Sequence, residues 1–270
     1  MTQKDELLSR EKLRDLRSLD SMKIRRRKGL CMVEGERSLG EALRTRNLLY
    51  LVASDDQAAG GSRSFAEELR SSDVPCYTLA HTHFKDLTDV KTGTGLLGVA
   101  RIPVQADPHG LQDLPGRSTL FYLDGVQEPG NVGALIRTAW ALGFTGVLLG
   151  DGTADPFSAK GVRASAGGVF HLPLYGGIGV REMDRLISGG YSLFVADRGG
   201  QDYRLINYSE RSILALGNEG GGFSRWVLQY GLAVGIPLAE GVDSLNVVVA
   251  GSIIAARMTA APGRGEGETR

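Results

Sequence analysis

From residue 118 onward the chain repeats one pattern, a short and nearly unbroken apolar run followed by a helical stretch. The runs are TLFYLDGV, GVLLG, FHLPLY, YSLFVAD, SILALG and LAVGIPL. Between and after them lie NVGALIRTAWALG, SAKGVRASAG, REMDRLISGG, FSRWVLQYG and SLNVVVAGSIIAARMTA. A strand with no polar alternation is buried on both faces, and helical crossovers supply that cover only in a parallel sheet. The pattern therefore predicts an α/β fold with a parallel sheet over residues 118–262.

The preceding part alternates on a smaller scale. Residues 3–19 read as a polar helix, with Leu7, Leu8, Leu13 and Leu16 near helical spacing. GLCMVEGERSLGEALRT reads as a strand running into a helix, LLYLVAS as a strand, SFAEELRSS as a helix, and VPCYTLA and TGLLGVARI as strands. Together, residues 1–104 predict a helix and a small α/β domain. PVQADPHGLQDLPGRS holds three prolines and two glycines without periodicity, so residues 105–117 read as a linker. Residues 263–270 are expected to be a disordered tail.

Composition narrows the class. Of 270 residues, 42% are hydrophobic and 23% charged, as in a soluble globular protein. No apolar run reaches the roughly 18–20 residues a membrane span needs, so no membrane partner is expected. The first residues are charged throughout, unlike a secretory signal. Cys31 and Cys76 show no metal-ligand spacing, which points to a reduced, cytoplasmic protein without a bound metal. Basic and acidic residues balance at 31 each, yet the first thirty positions carry ten basic and five acidic side chains. KIRRRK, residues 23–28, is either a solvated helix face or a contact for a nucleic-acid backbone.

In an open parallel sheet, ligands bind beyond the carboxyl ends of the strands. Three segments fall there. In LDGVQEPGNVGALIRTAWALG, Asn131 is positioned to cap a helix, and Gly130 and Gly133 permit close backbone approach. Arg137 falls on the stripe of Gly133 and Ala141, where it reads as partly buried and in need of an anion, either a structural ion-pair partner or a substrate group. In ALGNEGGGFS, an apolar strand meets a glycine-rich turn that lacks the Lys and Ser/Thr of a phosphate loop. In IPLAEGVDSLNVVVAGSIIAAR, a polar loop precedes a helix of small residues, and Asp243 or Ser244 fits a helix cap.

The three segments taken in order, N-x-G-x-x-x-R-T-A at 131–139, G-N-E-G-x-G at 217–222 and I-P-L-x…S-L-N-V at 236–247, resemble the motifs of the SpoU/TrmH family of RNA ribose 2′-O-methyltransferases. VEGERSLGEAL at 33–43 and TGTGLLGVA at 92–100 are similar to the small L30e-like RNA-binding domain that often precedes that fold. The resemblance implies a SPOUT-type parallel-sheet domain with a deep trefoil knot. It also implies S-adenosylmethionine as methyl donor and a homodimer, formed through the C-terminal domain, whose active site draws on both chains. Carried onto this sequence, Leu216, Gly217, Ile236, Leu238, Leu245 and Asn246 would hold the cofactor. Arg137, Asn131, Glu219, Ser244 and Asn246 would form the catalytic group. Lys23, Arg25, Arg26, Arg27, Lys28 and Arg163 become candidates for RNA contact.

The substrate so implied is structured RNA of the ribosomal, 23S type, with a transfer RNA as the alternative. A nucleotide dehydrogenase would place its glycine fingerprint at the first strand–helix turn, whereas here the glycine turn comes late. A non-catalytic RNA-binding protein on the same fold would be signalled by loss of Arg137, Glu219 or Asn246, and all three are present.

Overall fold

The computed structural model describes residues 6–55, 61–88, 95–104, 106–113, 116–218 and 220–260. The chain forms two compact units that do not follow simple sequence order. The first comprises residues 1–105, 128–137 and 154–172, and the second residues 106–127, 138–153 and 173–270. The whole of the expected tail, residues 263–270, and Thr92 to Thr94 of the second L30e-like segment lie outside the described residues.

The first unit is built on a mixed five-stranded sheet. Its strands are β1 (Glu6–Leu7), β2 (Leu30–Glu34), β3 (Leu48–Ser54), β4 (Cys76–Leu79) and β5 (Leu96–Arg101), in the order β1-β4-β3-β5-β2. β4 pairs in parallel with β1 and β3, whereas β5 pairs antiparallel with β2 and β3. Helices α1 (Arg10–Ser18), α2 (Met22–Lys28), α3 (Glu36–Arg44), α4 (Arg63–Arg70) and α5 (His81–Lys85) accompany it. The single polar helix expected over residues 3–19 is thus a short edge strand followed by α1. Ser9 ends the strand and starts the helix, its hydroxyl accepting from the Lys12 amide at 3.2 Å. Leu16, Leu19, Met32, Val52, Leu97 and Val99 form the core beneath.

The second unit carries six parallel strands in the order β11-β9-β10-β6-β7-β8. They are β6 (Ser118–Asp124), β7 (Gly146–Gly150), β8 (Leu174–Ile178), β9 (Ser192–Asp202), β10 (Arg211–Gly217) and β11 (Leu232–Gly235). All seven residues of β6 are buried, as a central strand covered on both faces requires. The core gathers Leu120, Tyr122, Leu148, Ile178, Met183, Leu186, Val195 and Ile213. The connecting helices are α6 (Pro129–Ala141), α7 (Ala159–Ala164), α8 (Val180–Ser188), α9 (Arg225–Tyr230) and α10 (Val247–Thr259). Of these, α7 and the first nine residues of α6 fall within the first unit's ranges.

Two strand limits differ from the sequence reading. β8 starts after Pro173 rather than at Phe170, because proline has no N–H for the ladder. β9 runs five residues past YSLFVAD, through the polar RGGQD, and pairs there with β11 through Gln201 and Asp202. Apolar periodicity has no signal for such an extension.

Candidate active site

The carboxyl end of β6 is where the second unit's chain turns are tied together. Asp124 closes the strand and is 5% exposed. Its Oδ2 accepts the Ser224 amide at 2.6 Å, and its Oδ1 accepts the Ser224 hydroxyl at 3.0 Å and the Tyr122 hydroxyl at 3.2 Å. Burial first, and then the Asp124 charge, push the Tyr122 phenol well above its ordinary range, so it stays a donor. The Thr153 hydroxyl donates to the Leu123 carbonyl at 2.7 Å and accepts the Gly125 amide at 3.2 Å.

The glycine turn after β10 is held from the same place. The Asn218 side-chain amide donates to the Gly125 carbonyl at 2.9 Å. Its Oδ1 accepts the amides of Gly220 and Gly221 at 2.8 and 2.7 Å. The main chain closes with paired bonds between Asn218 and Gly222. A Cβ on Gly217 would stand 2.8 Å from the Gly222 carbonyl oxygen, so only glycine allows this closure. Leu216 and Gly217 are buried at the end of β10. Glu219 lies outside the described residues.

Beyond β9 and β11 opens a cleft of about 490 Å³. Ile236, Leu238 and Val242 give it apolar wall, and Arg198, Asp202 and Glu240 give it charge. Two expected cofactor residues, Ile236 and Leu238, therefore share one cavity. Leu216, Gly217, Leu245 and Asn246 do not line it. The Arg198 guanidinium reaches the Asp243 carbonyl at 3.0 Å and its carboxylate at 3.3 Å, fixing the loop that leads to α10. Ser244 is exposed and Leu245 half-buried. The cap of α10 is neither Asp243 nor Ser244 but Asn246, whose Oδ1 accepts the Val248 amide at 2.9 Å. α10 packs on β9 and β10, and its Ser252 hydroxyl bonds that of Thr138 at 3.1 Å.

The remaining expected site residues lie in the first unit. Asn131 is not a helix cap. Helix α6 starts two residues earlier, with Pro129 in the first position, where its missing N–H costs nothing. Glu128 is the cap, its Oε1 accepting the Gly130 amide at 3.1 Å. Asn131 sits half-buried inside the first turn. Gly133 does mark a close approach: a Cβ there would collide with the Gly161 carbonyl and stand 2.8 Å from the Ala164 Cβ on α7. Gly130 has ordinary room. Arg137 is exposed, and among the described residues it makes no hydrogen bond or ion pair, so its expected partial burial does not hold.

The basic run divides. Arg25 is 5% exposed, and its guanidinium bonds Asp155 Oδ2 at 2.6 and 2.9 Å and the carbonyls of Leu19 and Asp20 at 2.7 and 2.8 Å. With its donors turned inward, Arg25 is a structural residue and not an RNA contact. Lys28 is partly buried and pairs with Asp15 at 3.0 Å. Arg163 pairs with the buried Glu34. Lys23, Arg26 and Arg27 are exposed on α2. The sequence reading passed over Asp124, Asn218, Ser224 and Thr153. Asn218 was visible inside G-N-E-G, but nothing in one sequence marks a carboxylate at a strand's last position as a tie.

Comparisons with known proteins bear on both units. The model of the SpoU rRNA Methylase family matches residues 118–256, and that of the MRM3-like substrate binding domain matches residues 10–98. The 23S rRNA (guanosine(2553)-2'-O)-methyltransferase RlmP of Bacillus subtilis (strain 168) is 31% identical over 246 residues, covering 90% of this chain and 94% of that protein. The crystal structure of an AdoMet-bound rRNA methyltransferase from Sinorhizobium meliloti is similar at a TM-score of 0.77 and 26% identity, over 94% of this chain and 96% of that one. The SpoU methyltransferase AviRb from Streptomyces viridochromogenes, at 23% identity, shares the fold with a TM-score of 0.81 over 93% of this chain and 97% of its own.

Proposed function

This chain belongs to the SpoU rRNA methylase family and is an RNA methyltransferase, and from that premise we propose that it methylates a ribose 2′-hydroxyl in structured RNA of the 23S ribosomal class. S-adenosylmethionine is the donor we infer, since it supplies a methyl group on a cationic sulfonium. The observation that carries this reading is the cleft beyond β9 and β11. Its apolar Ile236, Leu238 and Val242 suit an adenosine, and its charged groups are of both signs, Glu240 and Asp202 with Arg198, the Asp202 carboxylate being already paired with Arg204. Leu216, Gly217, Leu245 and Asn246 complete the proposed cofactor set, and no metal is invoked.

The protein's part in the reaction is positioning and charge. The ribose oxygen forms a bond to the methyl carbon as the carbon–sulfur bond breaks, and the hydroxyl proton leaves. Holding the reactants at attack distance supplies much of the rate. The guanidinium of Arg137 is a planar fork of donors with no acceptor. It therefore acts by clamping an RNA phosphate and stabilising the developing alkoxide, with that phosphate or water taking the proton. Asn131, Glu219, Ser244 and Asn246 are the other groups proposed for the reacting end. Asn246 performs that role while capping α10.

RNA contact is proposed for Lys23, Arg26, Arg27 and, through exposed parts of paired side chains, Lys28 and Arg163. The same reading includes the family's trefoil knot, a homodimer through the C-terminal domain, and work in the cytoplasm. These three rest on the family membership alone. The test is tritiated S-adenosylmethionine with purified protein and either 23S ribosomal RNA or bulk transfer RNA. Alkali-stable label at a ribose of the 23S RNA is expected. Label on a base, or none in either RNA, refutes the proposal.

A further inference from the structure

Asp124 is a buried carboxylate, and among the described residues no Lys or Arg pairs with it. Burying a carboxylate is costly unless donors surround it. Here the donors are the Ser224 amide at 2.6 Å, the Ser224 hydroxyl at 3.0 Å and the Tyr122 hydroxyl at 3.2 Å. Two of the three come from the residue that ends the glycine turn and starts α9. The other end of the turn is fixed by Asn218, which reaches from β10 to the Gly125 carbonyl, one residue after Asp124. The end of β6 thus grips both flanks of the turn.

We propose that Asp124 is a positioning residue for the methyl transfer, one that holds the glycine turn in its binding shape before the cofactor arrives. The proposal rests on the cofactor assignment above and adds a residue to it. A turn of this many glycines has large conformational freedom, and ordering it on binding would weaken affinity. Asp124 removes that loss through Ser224. Its carboxylate is suited to the task because both Ser224 groups facing it are donors. An amide in its place would keep one acceptor for the Ser224 N–H, but the two hydroxyls would have to reverse and accept, and all three bonds would lose the charge that strengthens them.

The experiment compares wild type, Asp124→Asn and Ser224→Ala in full-length protein. Calorimetry measures S-adenosylhomocysteine binding, and steady-state kinetics measures KM for S-adenosylmethionine and for RNA separately. For Asp124→Asn, about a tenfold weaker binding and a matching rise in cofactor KM are expected, with RNA KM unchanged and kcat within about threefold. Ser224→Ala keeps the main-chain bond, so about a two- to threefold effect is expected, with an unchanged melting temperature. A lowered melting temperature with unaltered cofactor affinity shows a merely structural role and overturns the proposal. Should Asp124→Asn fail to fold, Ser224→Ala decides: unchanged cofactor KM there overturns it as well. Wild type that binds no S-adenosylhomocysteine overturns the cofactor reading and this proposal with it. Wild type that binds no better than the variants overturns this proposal alone.

Discussion

The two units use buried charge in opposite ways. In the first, the buried cation Arg25 has a carboxylate partner, Asp155, and only 7% and 10% of the two side chains are exposed. In the second, the buried anion Asp124 has no cation among the described residues and is served by one amide and two hydroxyls. The difference follows from chemistry. A guanidinium has donors only and needs acceptors, whereas a carboxylate can be satisfied by the N–H and O–H groups that any chain turn supplies. A buried arginine therefore ties two distant segments, here residues 25 and 155, while a buried aspartate can organise a loop.

The largest effect expected concerns a cation that is not buried at all. Arg137→Ala should lower methylation at least about 100-fold, the usual consequence of removing a group that stabilises developing charge. Its melting temperature should stay near wild type, because Arg137 is exposed and spends nothing on the fold. Arg137→Lys should keep less than about a tenth of the activity, since an ammonium cannot clamp a phosphate through two parallel bonds. Near-wild-type turnover of that variant at neutral pH would refute the clamp. Arg25→Ala inverts this profile. Leaving Asp155 buried and unpaired should cost about 3–5 kcal/mol of stability, measured by urea unfolding. Asp155→Ala should cost a similar amount, and the double variant less than the two added together. Additive losses would show that the pair is not the tie described here.

What the sequence made legible follows the same division. Apolar runs located all six strands of the parallel sheet, because burial on both faces leaves a mark in every residue. The polar extension of β9 left none, as its RGGQD is held by main-chain pairing to β11. Gly133 was readable as a close-approach position, whereas Gly130, read the same way, has ordinary room. Asn131 was misread as a cap because Glu128, an uncommon capping residue, stands in that place. Asn246 was read for the cofactor and is also a cap, one sequence letter answering to two local needs. The unit boundaries were out of reach, since residues 128–137 and 154–172 join the first unit through contacts across more than a hundred positions, such as Arg163 with Glu34. Cys31 proved to be core, and burial pushes its thiol up to about 12.

The smallest effect expected is the one that divides KIRRRK most finely. Five charges within six residues look alike in a sequence, yet the helix turns Arg25 inward and leaves Lys23, Arg26 and Arg27 exposed. Replacing those three together with alanine should change stability by no more than about 0.5 kcal/mol, because no internal partner is lost. RNA binding should weaken about tenfold at moderate salt. More telling is the slope of log affinity against log salt, which should shrink by about 2, as each lost phosphate contact removes about 0.7 from it. Arg25→Ala should leave that slope unchanged once measured at a temperature where the variant is folded. If the triple variant binds RNA with an unaltered salt slope, the run is a solvated helix face throughout, and its basic residues serve the fold or nothing.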